Sequence, residues 1–240
     1  MGKRKAFMGA TIINGSKDVP VLEGGTLLVG EDGAIEAVGK DLVLDPGVEV
    51  VDVTGKYITP GLINAHVHLF SNGGVATKSG AGGSKVGAAF AVLRSPLGKV
   101  IMKRVYKAVA KIFVNAGVTT VRDCGSFFCL DVRTKELVES GKAEGPRILP
   151  SGPLIIATGG HGWNMPSSRQ ISGVPEAIKA ARESIRDGAE WVKICTTGGV
   201  TDSTFIGGTE CTHLTVEETK AIVQEAHRRN IMVASHCEST

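Results

Sequence analysis

Beyond Tyr57 the sequence alternates short apolar runs with longer amphipathic segments, and this alternation leaves few folds open to the chain. Helix signals mark the amphipathic segments: Gly117 closes one, Pro175 opens the next, and the capping-box pair Thr215 and Glu218 begins the last. Strands that alternate with helices are typical of βα units around a parallel sheet. The predicted helices span roughly residues 100–115, 175–188 and 215–230, and the predicted strands span residues 61–69, 118–123, 147–151, 191–196 and 231–236.

The first sixty residues lack a helical period and consist of short β-branched runs separated by turns. The tripeptide Glu-Asp-Gly at residues 31–33 lies between two of these runs and is a hairpin signal. We therefore predict a small antiparallel β domain over residues 1–58, followed by a βα domain over residues 59–240. The predicted strands of the small domain span residues 10–13, 26–29, 35–38 and 48–53.

Composition indicates an ordinary soluble domain. The net charge is +3, and the basic residues are dispersed apart from residues 3–5, which indicates neither a nucleic acid nor a membrane as partner. The five cysteines form no CxxC pair, and no export signal precedes them, so reduced thiols are expected. No apolar stretch approaches the length that spans a bilayer. We expect a cytoplasmic protein.

His66 and His68 are the clearest candidates for chemistry. They lie two residues apart on the first predicted βα strand, so both side chains project from the same face. Two imidazoles on one rigid strand form half of a site for a divalent cation. A glycine-rich connection follows and places the pair at the carboxyl end of the strand, where β/α proteins build their sites. Two histidines on a merely polar strand face are the alternative.

Lys193 and His236 lie on later predicted strands. Burial of Lys193 between Val192 and Ile194 would disfavour the charged form and free a nucleophilic amine. Pairing with a buried carboxylate, or extension to solvent at the strand end, would also accommodate this lysine. His236 ends the fifth strand, where it is either a ligand or a satisfied core histidine.

Further candidates lie in connections and at strand ends. His161, in the glycine-rich segment 157–172, is predicted to contact substrate or to orient other site groups, with capping of its loop as the alternative. Asp123 ends the second strand and is predicted either to orient a ligand or to form a structural salt bridge. Weaker candidates for substrate contact are Trp163, Asp202 and His213.

Several segments resemble the amidohydrolase superfamily, in the order in which that family has them. The segment PGLINAHVHLF is similar to its first-strand metal motif. The segment PRILPSGPLIIATGGHG resembles the branch that contains imidazolonepropionase-like and Xaa-Pro dipeptidase-like enzymes. The segments GVTTVRDCG, WVKICTTGG and IMVASHCES resemble the second, fourth and fifth strands of the family.

The resemblance implies a (β/α)8 TIM-type barrel with a small amino-terminal β-sandwich unit. It implies two divalent metal ions, expected to be Zn2+, bound by His66, His68, His236 and a carbamate that Lys193 forms with carbon dioxide. It also implies hydrolysis of an amide bond by a metal-bridging hydroxide. The implied small-molecule substrates are dipeptides or N-acyl amino acids, and imidazolonepropionase-like hydrolysis of a cyclic amide is the alternative.

The last metal histidine and the general-base aspartate of the family lie on strands six and eight, and only five strands are found before Thr240. We therefore expect a partial barrel, inactive and poorly soluble by itself, whose full-length form could be a homo-oligomer. The hypothesis from a different class is a non-catalytic chain, either a decayed half-barrel or a subunit that complements a second polypeptide.

Overall fold

The computed structural model describes residues 2–18, 21–71, 92–200 and 208–239. These residues form two compact units, Met1–Gly61 and Leu62–Thr240. Asp202 and most of the connection after the first βα strand lie outside the described residues. In the part of the chain that is described, no helix is long and apolar enough to cross a lipid bilayer.

The first unit is a five-stranded mixed sheet. β1 (Lys5–Ile13) pairs antiparallel with β2 (Val21–Val29), which pairs antiparallel with β3 (Ile35–Gly39). β4 (Glu49–Asp52) and β5 (Tyr57–Ile58) pair parallel with β1, so the prediction of an antiparallel unit is wrong for these two strands. The reason is that the connection after β3 returns the chain to the other edge of β1, where it runs in the direction of β1. The β-sandwich remains a prediction.

The second unit begins with a sheet of three parallel strands, β6 (Leu62–Val67), β7 (Val118–Asp123) and β8 (Arg147–Leu149). Side chains of α1 (Pro96–Asn115) and α2 (Leu130–Glu139) pack against one side of it. α1 extends the predicted helix by one turn at its start. Sequence reasoning placed no helix at α2, because this short segment carries few apolar residues.

Four parallel strands form the second sheet of this unit, in the order β10-β9-β11-β12. Their bounds are Leu154–Ala157 for β9, Ser168–Ile171 for β10, Trp191–Cys195 for β11 and Met232–His236 for β12. β10 corrects the prediction that its segment is only a connection. Its sequence SRQI is mostly polar, and its pairing with β9 is not visible in a local pattern.

Two helices cover one side of the second sheet, α3 (Val174–Arg186) and α4 (Val216–His227). Both confirm predicted helices. The capping box of α4 is present, because Thr215 Oγ1 accepts the N–H of Glu218 at 3.1 Å and the Glu218 carboxylate accepts the N–H of Thr215 at 2.9 Å.

The third predicted strand, 147–151, is interrupted in the structure at residues 150–153. β8 pairs with β7, whereas β9 pairs with β11. Proline at both ends of the interruption lacks the N–H that a ladder needs. The two residues between these prolines do not donate to a strand either. The Asp131 carboxylate accepts the N–H groups of Ser151 at 2.9 Å and Gly152 at 2.8 Å. In the second unit the described residues thus form two parallel sheets and no closed barrel.

Candidate metal centre

Alternation along the strands gives each sheet of the second unit a helix-facing side and an opposite side. Val67 of β6 packs with side chains of α1, so its neighbours His66 and His68 point to the opposite side. Val192 of β11 packs with α3 and α4, which places Lys193 on the opposite side as well. The predicted ligands are therefore on the side that the described helices leave uncovered.

The imidazoles of His66 and His68 have ring centroids 5.5 Å apart. The backbone N–H of His66 donates to Asn64 Oδ1 at 3.1 Å, so a side chain of β6 fixes the backbone next to the first histidine. The Nδ1 atom of His68 is buried and has no hydrogen-bond partner among the described residues. A buried polar atom without a partner requires an explanation, and a group from outside the chain is one.

Burial and nearby positive charge set the protonation of these two histidines. Burial is the main cause that lowers the pKa of His68 to about 4. The pKa of His66 is also lowered, by burial first and then by the charges of Lys193 and Arg122. Both imidazoles are therefore neutral at pH 7, the form that binds a metal. A positive charge on Lys193 also contributes to lowering both pKa values.

Lys193 lies in the middle of β11 and is only 5% exposed. An ammonium group at such a place is costly without a counter-charge. The carboxylates that are buried in the described part of the chain contact other groups, and no ion pair joins any of them to Lys193; they are Asp123, Asp131, Glu218 and Glu225. Extension to solvent therefore does not describe this lysine, and among the described residues no buried carboxylate pairs with it.

His236 ends β12 and is half-buried. Its ring stacks on that of His161, with centroids 4.4 Å apart and an interplanar angle of 16°. Its Nε2 lies 3.1 Å from the carbonyl oxygen of Gly198 and 3.7 Å from the Glu238 carboxylate. Burial is the largest cause that lowers the pKa of His236. Binding a metal through Nε2 requires the ring to leave the Gly198 carbonyl.

Glycines after β9 and β11 allow this stacking. A Cβ atom at Gly199 would overlap the imidazole of His161, and one at Gly160 would lie 2.9 Å from the carbonyl oxygen of Ala157. The two glycine-rich loops thus bring the rings of His161 and His236 together. The motifs TGGHG and TTGG indicate loops in the sequence, but not that these loops contact each other.

Gly199→Ala is expected to displace the ring of His161 and to lower the free energy of unfolding by about 1–3 kcal/mol, because the added methyl overlaps a packed ring. Urea unfolding measures the loss, and the imidazole NMR signals of His236 report the broken stack. In the double variant Gly199→Ala/His161→Ala the methyl has space, so most of the stability should return. A single variant as stable as the parent chain, with unchanged imidazole signals, would contradict this account.

Asp123 ends β7 on the helix-facing side, two residues after the core residue Val121, and is fully buried away from the imidazoles. One oxygen accepts the N–H of Leu69 at 3.4 Å, and Oδ2 has no partner among the described residues. Burial, followed by the charge of Asp131, raises the pKa of Asp123 well above its ordinary value. No described cation forms the predicted salt bridge. Asp123 is the register partner of Val67, between His66 and His68, but its side chain lies on the other side of the sheet from both imidazoles.

Arg122 has a structural role on the ligand side that sequence reasoning missed. Its Nε donates to the carbonyl oxygen of Ala65 at 2.8 Å, and its guanidinium lies 4.6 Å from the ring centroid of Trp191. Arg122 thereby joins β6 and β11 below the ligands. The arginine was visible in the predicted strand 118–123, but its aromatic partner is remote in sequence. Of the weaker candidates, Trp163 is 51% exposed and His213 donates its backbone N–H to the Thr196 carbonyl.

Residues 57–240 match the sequence profile of the Amidohydrolase family. The chain belongs to this family. A solved prolidase in complex with N-methylphosphonate-L-proline superposes with a TM-score of 0.78 at 27% identity, over 98% of this chain and 56% of the prolidase. Ochratoxinase from Aspergillus niger is 27% identical over 143 residues, which are 50% of this chain and 29% of ochratoxinase. The probable imidazolonepropionase of Homo sapiens is 41% identical over 58 residues, which are 22% of this chain and 14% of that protein.

These matches confirm the resemblance to the amidohydrolases and to their prolidase-like and imidazolonepropionase-like branch. The chain spans little more than half the length of the prolidase and a smaller share of the other two relatives. The family consists of hydrolases that generally use divalent metal ions.

The side chains of this amidohydrolase fit a divalent ion on two conditions. Among the described residues, no three histidine, cysteine, aspartate or glutamate side chains lie close enough together to hold an ion. His66 and His68 offer neutral nitrogens, and the buried Nδ1 of His68 has no hydrogen-bond partner among the residues that the structure describes, although a hydrogen bond between the ring and the Gly125 backbone raises its pKa. The donor set is complete only if Lys193 becomes an anionic ligand and His236 turns away from the carbonyl that it contacts.

Proposed function

We propose that this amidohydrolase binds divalent metal ions, expected to be Zn2+, through His66, His68, Lys193 and His236, and hydrolyses the amide C–N bond of a dipeptide or an N-acyl amino acid. The observation that supports this most is the position of Lys193. It is buried without an ion pair to a described carboxylate, on the side of its sheet that the described helices leave uncovered, and the two neutral imidazoles lie on the corresponding side of the other sheet.

Lys193 would contribute an anionic oxygen ligand as a carbamate. The lone pair of its neutral amine forms an N–C bond to carbon dioxide, and the electron pair of one C=O bond moves onto that oxygen. The nitrogen then loses one proton to water, so the product carries one negative charge. Carbamate formation thus removes the buried ammonium, for which the described carboxylates provide no counter-charge, and supplies a negative charge that would bind the metal ions.

The four histidines would have separate tasks. His66 and His68 bind as neutral imidazoles from one rigid strand, and Arg122 holds that strand against β11. His161 positions His236 through their stacked rings and leaves Nε2 of His236 to exchange a carbonyl for a ligand. When bound, a divalent ion lowers the pKa of water and polarises the substrate carbonyl.

Two relatives support two substrate classes. The prolidase that superposes on this chain has a proline phosphonate ligand, which favours a dipeptide or an N-acyl amino acid as substrate. The match to the probable human imidazolonepropionase favours a cyclic amide as the second candidate, although it extends over a shorter part of the chain. Both reactions break a C–N bond at a carbonyl and place the same demand on the metal ligands.

Zinc titration tests the metal site directly. The variant His66→Ala/His68→Ala is expected to bind zinc at least about tenfold more weakly than the parent chain, because it loses two imidazole ligands. The matched control is His227→Ala, since His227 is exposed at the end of α4. Equilibrium dialysis with metal analysis measures the difference. Equal zinc affinity in the double variant and the control would overturn the proposed site.

Hydrolysis assays of the zinc-loaded chain separate the functions. Release of amino acids from Xaa-Pro dipeptides or N-acyl amino acids supports the proposal, and turnover of a cyclic amide alone supports the second candidate. Residues 1–240 alone are expected to bind zinc without turnover, because the general-base aspartate of the family lies on strand eight. Specific zinc binding with no turnover in a protein that also contains strands six to eight would favour a non-catalytic chain, such as one that complements a second polypeptide.

A further inference from the structure

A groove of about 740 Å3 separates α1 and α2 on the helix-facing side of the first sheet of the second unit. It lies away from the imidazoles, which point from the opposite side of that sheet. We infer that this groove, hereafter the lysine groove, binds a nucleoside polyphosphate: its phosphates contact Lys99, Lys103 and Lys107, and its base lies on Phe128.

The charge of the lysine groove is strongly positive. Lys99, Lys103 and Lys107 follow one another at intervals of four residues on α1, so they form one row of about 12 Å along the helix axis. Lys142 and Arg133 line the groove from the side of α2. The single carboxylate in the described lining is Glu136, and Arg133 already pairs with it at 3.0 Å. The remaining cations therefore face the groove without a carboxylate there.

The lysines at the two ends of the row each contact another side chain. Lys99 Nζ lies 5.1 Å from the ring centroid of Phe128, and Lys111, the next lysine of the row, pairs with Glu144 at 2.7 Å. Between them, Lys103 and Lys107 form no ion pair with any described residue. Like charges four residues apart on a helix repel one another. A bound anion would remove this repulsion, and an empty groove would retain it.

The floor of the groove is apolar, which distinguishes it from an ordinary basic surface. Leu130 is 4% exposed there, and Phe128 and Leu137 are partly buried beside it. Phe128 and Cys129 have φ angles of 55° and 54°, a left-handed conformation that such residues rarely adopt. Strain of this kind is concentrated at ligand clamps and active sites.

The ligand class follows from these dimensions. Pockets of roughly 300–1,000 Å3 suit small organic ligands rather than simple ions. Lysines are point charges that bind phosphate groups, and successive ones at about 6 Å along the helix suit a chain of phosphates. Phe128 beside them offers a ring on which a base can stack when Lys99, which lies over that ring, turns to the phosphates. A nucleoside di- or triphosphate combines both features.

Calorimetry with ATP on the purified chain, at low ionic strength and without added metal, tests the inference. Lys103→Gln/Lys107→Gln is expected to weaken ATP binding about tenfold or more, since two charge-assisted contacts are lost. Arg104→Gln is the matched control, because Arg104 is an exposed neighbour on α1 that does not line the groove, and ATP affinity there should stay within about twofold. All three positions are exposed, and circular dichroism verifies that each variant folds.

Two further ligands, inorganic tripolyphosphate and an acidic glutamate peptide, test which kind of anion the lysine groove binds. Inorganic tripolyphosphate should bind several-fold more weakly than ATP, because it has no base to place on Phe128. ATP binding that is absent, or equally weakened in the Arg104 control, would overturn the proposal. So would equal affinity for ATP and tripolyphosphate, or tighter binding of an acidic glutamate peptide, which would assign the groove to an acidic protein segment. None of these outcomes depends on the metal site or on hydrolysis.

Discussion

Lys193→Met is expected to lose bound zinc and bound carbon dioxide together. The substitution keeps most of the side-chain volume and removes the amine. Because Lys193 is buried and has no ion pair to a described carboxylate, the loss of the amine breaks no known ion pair, and the fold should persist. The zinc content should fall by about half or more, because the site loses its anionic bridging ligand.

Two measurements check this result without any assay of hydrolysis. Metal analysis after dialysis, with and without bicarbonate, should show that bicarbonate raises zinc occupancy in the parent chain and has no effect in Lys193→Met. Carbon-13 NMR with labelled bicarbonate should show a carbamate signal that is absent in the variant. Lys179→Met, at an exposed position on α3, is the control and should behave like the parent chain. Full zinc content in Lys193→Met would exclude the carbamate.

Asp131→Ala is expected to cause a large loss of stability in the second unit. The carboxylate is fully buried and accepts the N–H groups of Val132 at 2.9 Å, Ser151 at 2.9 Å and Gly152 at 2.8 Å. Each buried N–H left without a partner costs about 1–3 kcal/mol. The free energy of unfolding should therefore fall by about 3–5 kcal/mol in total.

Urea unfolding measures this effect, and two variants show its origin. Asp131→Asn keeps one acceptor oxygen and should lose less stability than Asp131→Ala. Glu136→Ala, on the same helix, removes only an exposed ion pair with Arg133 and should change the free energy of unfolding by at most about 1 kcal/mol. If Asp131→Ala were no less stable than Glu136→Ala, the carboxylate would not hold the segment between β8 and β9.

Local patterns predicted much of the second unit. β7 has the predicted bounds, and α4 begins with the predicted capping box. These elements are specified by short-range features, namely apolar periodicity, turn glycines and side chains that cap nearby amides. The spacing of α1 lysines was also visible, but only the neighbouring helix made it the wall of a groove.

Contacts between remote residues determined what the local patterns could not. The interruption of the third strand depends on Asp131, twenty residues before the amide of Ser151. The parallel pairing of β4 and β5 depends on which edge of β1 the chain reaches. Long-range pairing of this kind leaves no periodic signal in the sequence, because each partner is ordinary in its own segment.

The two histidines on β6 show most clearly what the sequence determines and what only the tertiary structure decides. The sequence by itself determined that His66 and His68 share one side of a strand, because side-chain direction alternates along any strand. It also placed a lysine on a later strand within an apolar run. Only the tertiary structure decided that Lys193 lies on the side of its own sheet away from α3 and α4, without an ion pair to a described carboxylate. It also decided that His236 contacts a carbonyl and that Asp123 faces the helices. Burial, neighbouring charges and the choice of partner strand arise when remote segments pack.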